Sequence, residues 1–113
     1  MEQIGNLIDK SKFKRRPRYT MILHNVREKL GISINTYIVV DSIHKLSSSN
    51  PNFPYCIMSK SEMGEFLGIT GRTVFRCLNE AEEKGLIERH EAGLRASQEW
   101  IKTVELYDIK SER

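Results

Sequence analysis

The chain has 113 residues, of which 39% are apolar and 29% are charged, and this length and composition are typical of one globular domain. No stretch approaches the ~20 apolar residues that a membrane-spanning helix needs. The amino terminus lacks the basic lead and the apolar run of a signal peptide. We therefore expect a cytoplasmic protein without a membrane segment.

The basic residues are concentrated in an amino-terminal arm. Residues 10–18 contain six basic side chains and no acidic one, so the formal net charge of +3 becomes −3 once they are removed. We expect the arm to follow a phosphate backbone or to enter a minor groove, although a solvated leader has the same composition. Its proposed contact residues are Lys12, Lys14, Arg15, Arg16 and Arg18. Residues 1–18 form a separate segment, in which Ile4, Leu7 and Ile8 have helical spacing and either fray or dock on the body.

Residues 19–46 predict the first half of a folded domain that we place at residues 19–107. Residues 19–23 are typical of a short strand or an extended lead-in, and residues 24–30 of a short helix that Gly31 ends. Residues 33–46 predict a longer helix that is apolar on nearly every side, which indicates burial on more than one face. It is either the central core helix or, in part, a homodimer face formed by Val39 and Ile43. The amino-terminal segment is the other candidate for a dimer contact.

Two further helices, joined by a short turn, are predicted between residues 59 and 85. They follow a loop at residues 47–54 and a short strand at residues 55–58. Ser59 caps the first helix, with Glu62 at capping-box spacing, and Gly68 ends it. Thr70 caps the second helix, and Gly85 ends it. Its buried face is predicted to hold Val74, Cys77, Leu78 and Ala81.

The polar face of the second helix divides into a basic amino-terminal half and an acidic carboxyl-terminal half. Two helices joined by a short turn define a helix-turn-helix, in which the second helix enters the major groove of DNA. We therefore expect Arg72, Thr73 and Arg76 to contact bases, while the acidic half with Glu80, Glu82 and Glu83 points away. Phosphate contacts are expected from Ser59, Lys60, Ser61, Thr70 and Arg95.

The sequence after Gly85 predicts an antiparallel hairpin. Its strands are placed at residues 86–90 and 97–107, with Gly93 near the tip. Arg95 would lie at this tip and contact phosphate, or it is an ordinary exposed charge. Trp100 is expected to anchor the core rather than to stack on a base. Residues 108–113 are predicted to form a frayed tail.

Nineteen residues between positions 55 and 89 follow the pattern of a known family. They are Tyr55, Cys56, Ile57, Met58, Ser59, Phe66, Leu67, Gly68, Ile69, Thr70, Arg72, Thr73, Val74, Leu78, Glu82, Lys84, Gly85, Leu86 and Ile87. In these positions the chain resembles the winged-helix domains of phage and plasmid replication-initiation proteins and of related small bacterial regulators. The resemblance implies a mainly α fold with a small β-hairpin, in which the helices are followed by a two- or three-stranded antiparallel wing.

The resemblance also implies sequence-specific binding of double-stranded DNA in phage or plasmid replication initiation. Transcriptional regulation by the same winged helix-turn-helix is the first alternative. The second is a protein-interaction module with little DNA contact, which would serve a replication or regulatory complex.

The sequence does not predict an enzyme. Residues 68–73 lack the spacing and the lysine of a phosphate-binding loop, and no His-x-His pair is present for a nicking reaction. The three histidines are scattered, and Cys56 and Cys77 lie among apolar neighbours as small buried hydrophobic residues. We therefore expect neither a metal ion nor a cofactor.

Overall fold

The computed structural model of the chain describes residues 19–49 and 51–111, with side chains as far as residue 107. The basic arm, the apolar residues that precede it and the last two residues of the predicted tail lie outside this part. The described elements are α1 (His24–Leu30), α2 (Ile34–Ser48), α3 (Lys60–Leu67), α4 (Gly71–Glu83), β1 (Ile87–His90), β2 (Gly93–Ala96) and α5 (Gln98–Ser111). A mainly helical fold with a small antiparallel hairpin is therefore confirmed here. None of these helices combines the length and the apolar character that crossing a bilayer requires.

The second helix, α2, is the centre of the core. The Ser33 side chain accepts a hydrogen bond from the Thr36 backbone N–H and caps the helix at its start. Tyr37, Val39 and Ile43 are buried within the chain. The hypothesis that Val39 and Ile43 form a homodimer face is therefore wrong, because the core of the same chain covers both. Dimerisation through other residues of α2 or through the amino-terminal segment stays a prediction.

Strands β1 and β2 form a short hairpin with a two-residue turn. Ile87 pairs with Ala96 at the open end, and His90 pairs with Gly93 at the turn. The predicted strand at residues 55–58 is reduced to one bridging residue, Cys56, whose N–H donates to the Leu94 carbonyl at 2.7 Å. The Cys56 backbone can lie this close to β2 because Gly93 has no side chain. The φ of Gly93 is +148°, and a Cβ there would lie 2.6 Å from the Cys56 carbonyl oxygen.

The predicted second strand at residues 97–107 is wrong. After β2 the chain turns at Ser97 into α5, which continues to Ser111 and so includes the first residues of the predicted tail. Trp100 is fully buried, and Ile101 and Val104 pack partly against the core. Residues at these spacings share one face of a helix, whereas in a strand they would lie on both faces.

Trp100 joins α5 to α2, as predicted for a core anchor. Its ring packs edge-on against Tyr37, with the ring centroids 5.1 Å apart. Its indole Nε1–H donates to His44 Nδ1 at 3.3 Å. The Tyr37 hydroxyl in turn accepts from the backbone N–H of Leu23 at 3.2 Å, which fixes the extended lead-in before α1. One buried group of side chains therefore joins α2, α5 and the lead-in.

Candidate nucleic-acid interface

Helix α3 begins with the capping box that the sequence predicts. Ser59 Oγ accepts from the Glu62 backbone N–H at 3.1 Å, and the Glu62 carboxylate accepts from the Ser59 N–H at 2.8 Å. Two of the free N–H groups at the helix start are thus satisfied. The carboxylate also places a negative charge beside Ser59, which weakens the case for a phosphate contact at this residue.

The turn between α3 and α4 is compact because Gly64 has no side chain. A Cβ at Gly64 would lie 2.5 Å from the carbonyl oxygen of Ile69. The Gly64 carbonyl accepts from the N–H groups of Gly68 and Ile69, at 2.7 and 2.9 Å. Gly68 takes the left-handed conformation with φ 80°, as expected for a residue that ends a helix. The turn backbone therefore lies directly on α3.

This turn brings the amino-terminal ends of α3 and α4 together. A Cβ built on Gly71 would lie 3.8 Å from the Lys60 carbonyl oxygen and from the Ser61 Cα. Thr70 caps α4 by accepting from the Thr73 N–H at 3.1 Å. Both helix starts carry partial positive charge, and anions bind favourably at such ends. Four of the predicted phosphate-contact residues, Ser59, Lys60, Ser61 and Thr70, are exposed in this region.

The three predicted base-contact residues lie on the first two turns of α4. Arg72 and Arg76 are exposed, and Thr73 is half-buried. Arg76 Nη2 lies 3.4 Å from Thr73 Oγ1, which in turn accepts from the Thr70 hydroxyl at 3.0 Å. Among the described residues, neither arginine forms an ion pair with a carboxylate. Both guanidinium groups are therefore open to an external partner.

The acidic half of α4 is largely engaged within the chain. Glu80 accepts a hydrogen bond from the buried Thr36 hydroxyl at 2.5 Å. Glu82 accepts two hydrogen bonds from Arg89, which lower the pKa of its carboxyl group. Glu83, one residue further, is exposed. The charge division along the helix thus separates an open basic end from an acidic end that packs against α2 and the hairpin.

Arg95 does not lie at the hairpin tip, where the sequence placed it. It stands in β2 opposite Glu88, and its Nε donates to that carboxylate at 3.0 Å. Its guanidinium carbon also lies 5.6 Å from the centre of the Tyr55 ring. His90 Nε2 lies 3.1 Å from the same Glu88, and hydrogen bonds from His90 and Arg95 lower the pKa of Glu88. Arg95 stays a predicted phosphate contact, but it already has an acidic partner.

Phe75 is a surface residue that the prediction of contacts left out. It is 48% exposed and lies on α4 between Arg72 and Arg76 in sequence. The Lys60 ammonium group lies 5.6 Å from the centre of its ring. The sequence did contain the signal, because at 100° per residue Phe75 lies off the buried face of Val74 and Leu78.

The described residues offer little to a metal ion. Cys56 and Cys77 are buried and free, as their apolar neighbours predicted, and burial raises the pKa of the Cys56 thiol. In residues 19–49 and 51–111 no three histidine, cysteine or acidic side chains lie in an arrangement that suits a metal ion. The open basic end of α4 is therefore the site with the clearest chemical character.

The chain matches no protein-family model, no curated protein and no solved structure.

Proposed function

We propose that the protein is a winged helix-turn-helix that binds double-stranded DNA in a sequence-specific manner. In this proposal α3 and α4 are the helix-turn-helix, and β1, β2 and the bridging residue Cys56 are the wing. The first two turns of α4 enter the major groove, which is wide enough to admit a helix. The observation that supports it best is a difference among arginines. Within the part of the chain that the structure describes, Arg72 and Arg76 are exposed and have no carboxylate partner, whereas Arg89 and Arg95 are paired with the chain's own glutamates.

The two arginines are suited to reading bases. A guanidinium group can donate two hydrogen bonds to O6 and N7 of guanine, which is worth about 1–3 kcal/mol of discrimination. Thr73 lies between them in sequence and offers its hydroxyl to either a base or a phosphate. Exposed carboxylates at this end of the helix would repel DNA, and the nearest glutamates of α4 are turned toward Thr36 and Arg89.

Phosphate contacts then fix the position of the helix in the groove. Lys60, Ser61 and Thr70 lie at the adjoining helix starts, where backbone N–H groups and partial positive charge favour anions. Ser59 belongs to the same group, with its hydroxyl still able to donate. The basic arm at residues 10–18 would add contacts along the backbone that raise affinity without specifying sequence. Arg95 contributes only if DNA displaces Glu88.

The process we propose is initiation of phage or plasmid replication, with transcriptional regulation as the alternative. The resemblance in residues 55–89 to replication-initiation proteins supports this process. The arrangement of bound sites separates the two processes. Direct repeats would favour an initiator, whereas a two-fold symmetric site would favour a dimeric regulator.

Selection of bound duplexes from a random pool tests the proposal most directly. The full chain is incubated with the pool at moderate salt, and bound duplexes are recovered and sequenced over several rounds. We expect one sequence to be enriched, and its affinity to fall steeply as salt rises because phosphate contacts release counterions. A pool that stays random, or binding that does not depend on salt, would contradict DNA recognition and favour the protein-interaction module.

A further inference from the structure

Phe75 lies on α4 among polar side chains, a position that the proposed function does not explain. Four of the five apolar residues of α4, Val74, Cys77, Leu78 and Ala81, are buried in the core. Phe75 is the fifth, and its ring belongs neither to the core nor to the partly buried residues that pack against it. Phe75 as a whole residue is 48% exposed, so part of its apolar surface stays in water. Its position on the outward side of α4 leaves this apolar surface open to an external partner.

The neighbours of Phe75 are the residues that we propose to contact DNA. At 100° per residue, Phe75 lies about 60° to one side of Arg72 on the helix, and Arg76 lies about 40° to the other side of Arg72. Lys60, a proposed phosphate contact, stands over the ring at 5.6 Å from its centre. A helix that places Arg72 and Arg76 on base edges therefore brings the phenyl ring to the same groove floor.

We infer that Phe75 contacts the C5 methyl group of a pyrimidine beside the bases read by the two arginines. This inference rests on the proposed function and adds a rule of sequence preference to it. The methyl group of thymine is the apolar feature of the major groove, and 5-methylcytosine presents the same group at the same position. An open phenyl ring gains by covering such a methyl, because both surfaces leave water.

The test removes the methyl group without changing base pairing. Duplexes enriched by the wild-type chain are synthesised again with uracil in place of thymine, and separately with 5-methylcytosine in place of cytosine. Affinities of wild type and Phe75→Ala are measured on each form. We expect uracil to weaken wild-type binding about fourfold, the factor that one buried methyl group is worth, and Phe75→Ala to bind both forms equally.

A gain of wild-type affinity on 5-methylcytosine that Phe75→Ala lacks would identify methylated cytosine as the source of the methyl group. Leu106→Ala is the matched control, since Leu106 is 52% exposed and lies on α5 rather than on α4. Phe75→Gln replaces Phe75→Ala if the latter does not fold, because the polar glutamine side chain also removes the apolar contact. Equal wild-type affinity for methylated and unmethylated forms would overturn the inference, as would full methyl sensitivity in Phe75→Ala. In either case the enriched sequence would still support DNA recognition, whereas a pool without enrichment would refute the proposed function itself.

Discussion

Arg89 in β1 donates two hydrogen bonds to Glu82 near the end of α4, from Nε at 2.9 Å and from Nη2 at 3.2 Å. The pair joins the hairpin to the carboxyl-terminal end of the helix whose other end carries Arg72 and Arg76. A basic side chain of the hairpin and an acidic side chain of the helix are thus bound to each other. The two basic side chains of α4, Arg72 and Arg76, both lie in its first two turns, at the opposite end of the helix from this pair.

Breaking this pair should cost little stability. The Arg89 side chain is 58% exposed and the Glu82 side chain 34%, so solvent screens the attraction, and we expect a coupling energy of about 0.2–1 kcal/mol. A double-mutant cycle of Arg89→Ala and Glu82→Ala in urea denaturation measures it. Hydrogen bonds from Arg89 lower the pKa of Glu82 below its ordinary 4.5, so the coupling is present above that pH and is lost as the pH falls through the folded-state pKa. Glu83→Ala is the control, and a coupling unchanged at low pH would contradict the assignment.

Replacing Arg76 should reduce specificity more than general affinity. Arg76→Ala removes a guanidinium group that we place on a base edge, and we expect a loss of about 1–3 kcal/mol on the selected duplex. On a random duplex the loss should be smaller, because only one charge near phosphate disappears. Filter binding or anisotropy titration on both duplexes measures the difference.

Arg89→Ala is the matched control for Arg76→Ala, because it removes the same charge from a residue already paired with Glu82. It should change binding to the two duplexes to a similar and small extent. Equal losses on selected and random DNA in Arg76→Ala would mean that this arginine supplies only charge. The base contact would then have to be assigned to Arg72 or Thr73.

The sequence predicted the elements whose signals are local. Ser59 and Thr70 each cap a helix as predicted, since a cap depends only on a hydroxyl and an N–H three residues later. Ser33, which was predicted only as the first residue of its helix, caps α2 in the same way. Gly31 and Gly68 end helices in the left-handed conformation that their position suggested. Such features need no knowledge of the rest of the fold.

The predictions that were wrong depended on contacts between separate helices or strands. Residues 97–107 contain β-branched and aromatic residues that also suit a strand, and their helical state follows from the burial of Trp100 beside Tyr37 and His44. Arg95 was placed at a loop tip because the length of the hairpin loop was not fixed by the sequence. Its pairing with Glu88 is set by the register of β1 and β2.

Adding one methyl group at Gly64 should destabilise the α3–α4 turn. An alanine Cβ would lie 2.5 Å from the Ile69 carbonyl oxygen, so the turn must move away from α3. We expect Gly64→Ala to lower the free energy of unfolding by about 1–3 kcal/mol, the usual range for overpacking. Gly71→Ala is the control, because its nearest neighbours are at an ordinary 3.8 Å. The free energy of unfolding of Gly71→Ala should equal that of the wild type or exceed it by up to about 1 kcal/mol, since alanine restricts the unfolded chain. Equal losses of unfolding free energy in both variants would exclude the steric explanation.

Acidification should destabilise the protein through His44. Burial is the largest cause that lowers the pKa of this imidazole below its ordinary 6.5; Asp41 and Glu105 act in the opposite direction. Protonation also removes the acceptor at Nδ1 that receives the Trp100 indole N–H at 3.3 Å. The unfolded chain therefore binds a proton more readily than the folded one. The stabilising contribution of the neutral His44 imidazole should be complete above pH 6.5 and should decline as the pH falls from there to the folded-state pKa of His44.

Urea denaturation of the wild type and of His44→Gln at several pH values between about 7.5 and 5 measures this effect, since the interval brackets the ordinary histidine pKa. Glutamine keeps a hydrogen-bond acceptor for Trp100 but does not titrate. We expect the free energy of unfolding of His44→Gln to fall less steeply with acid than that of the wild type. Titration of the His44 ring by NMR gives its folded-state pKa independently. An equally steep fall in both proteins would assign the acid sensitivity to other groups and leave the contact between His44 and Trp100 a purely structural one.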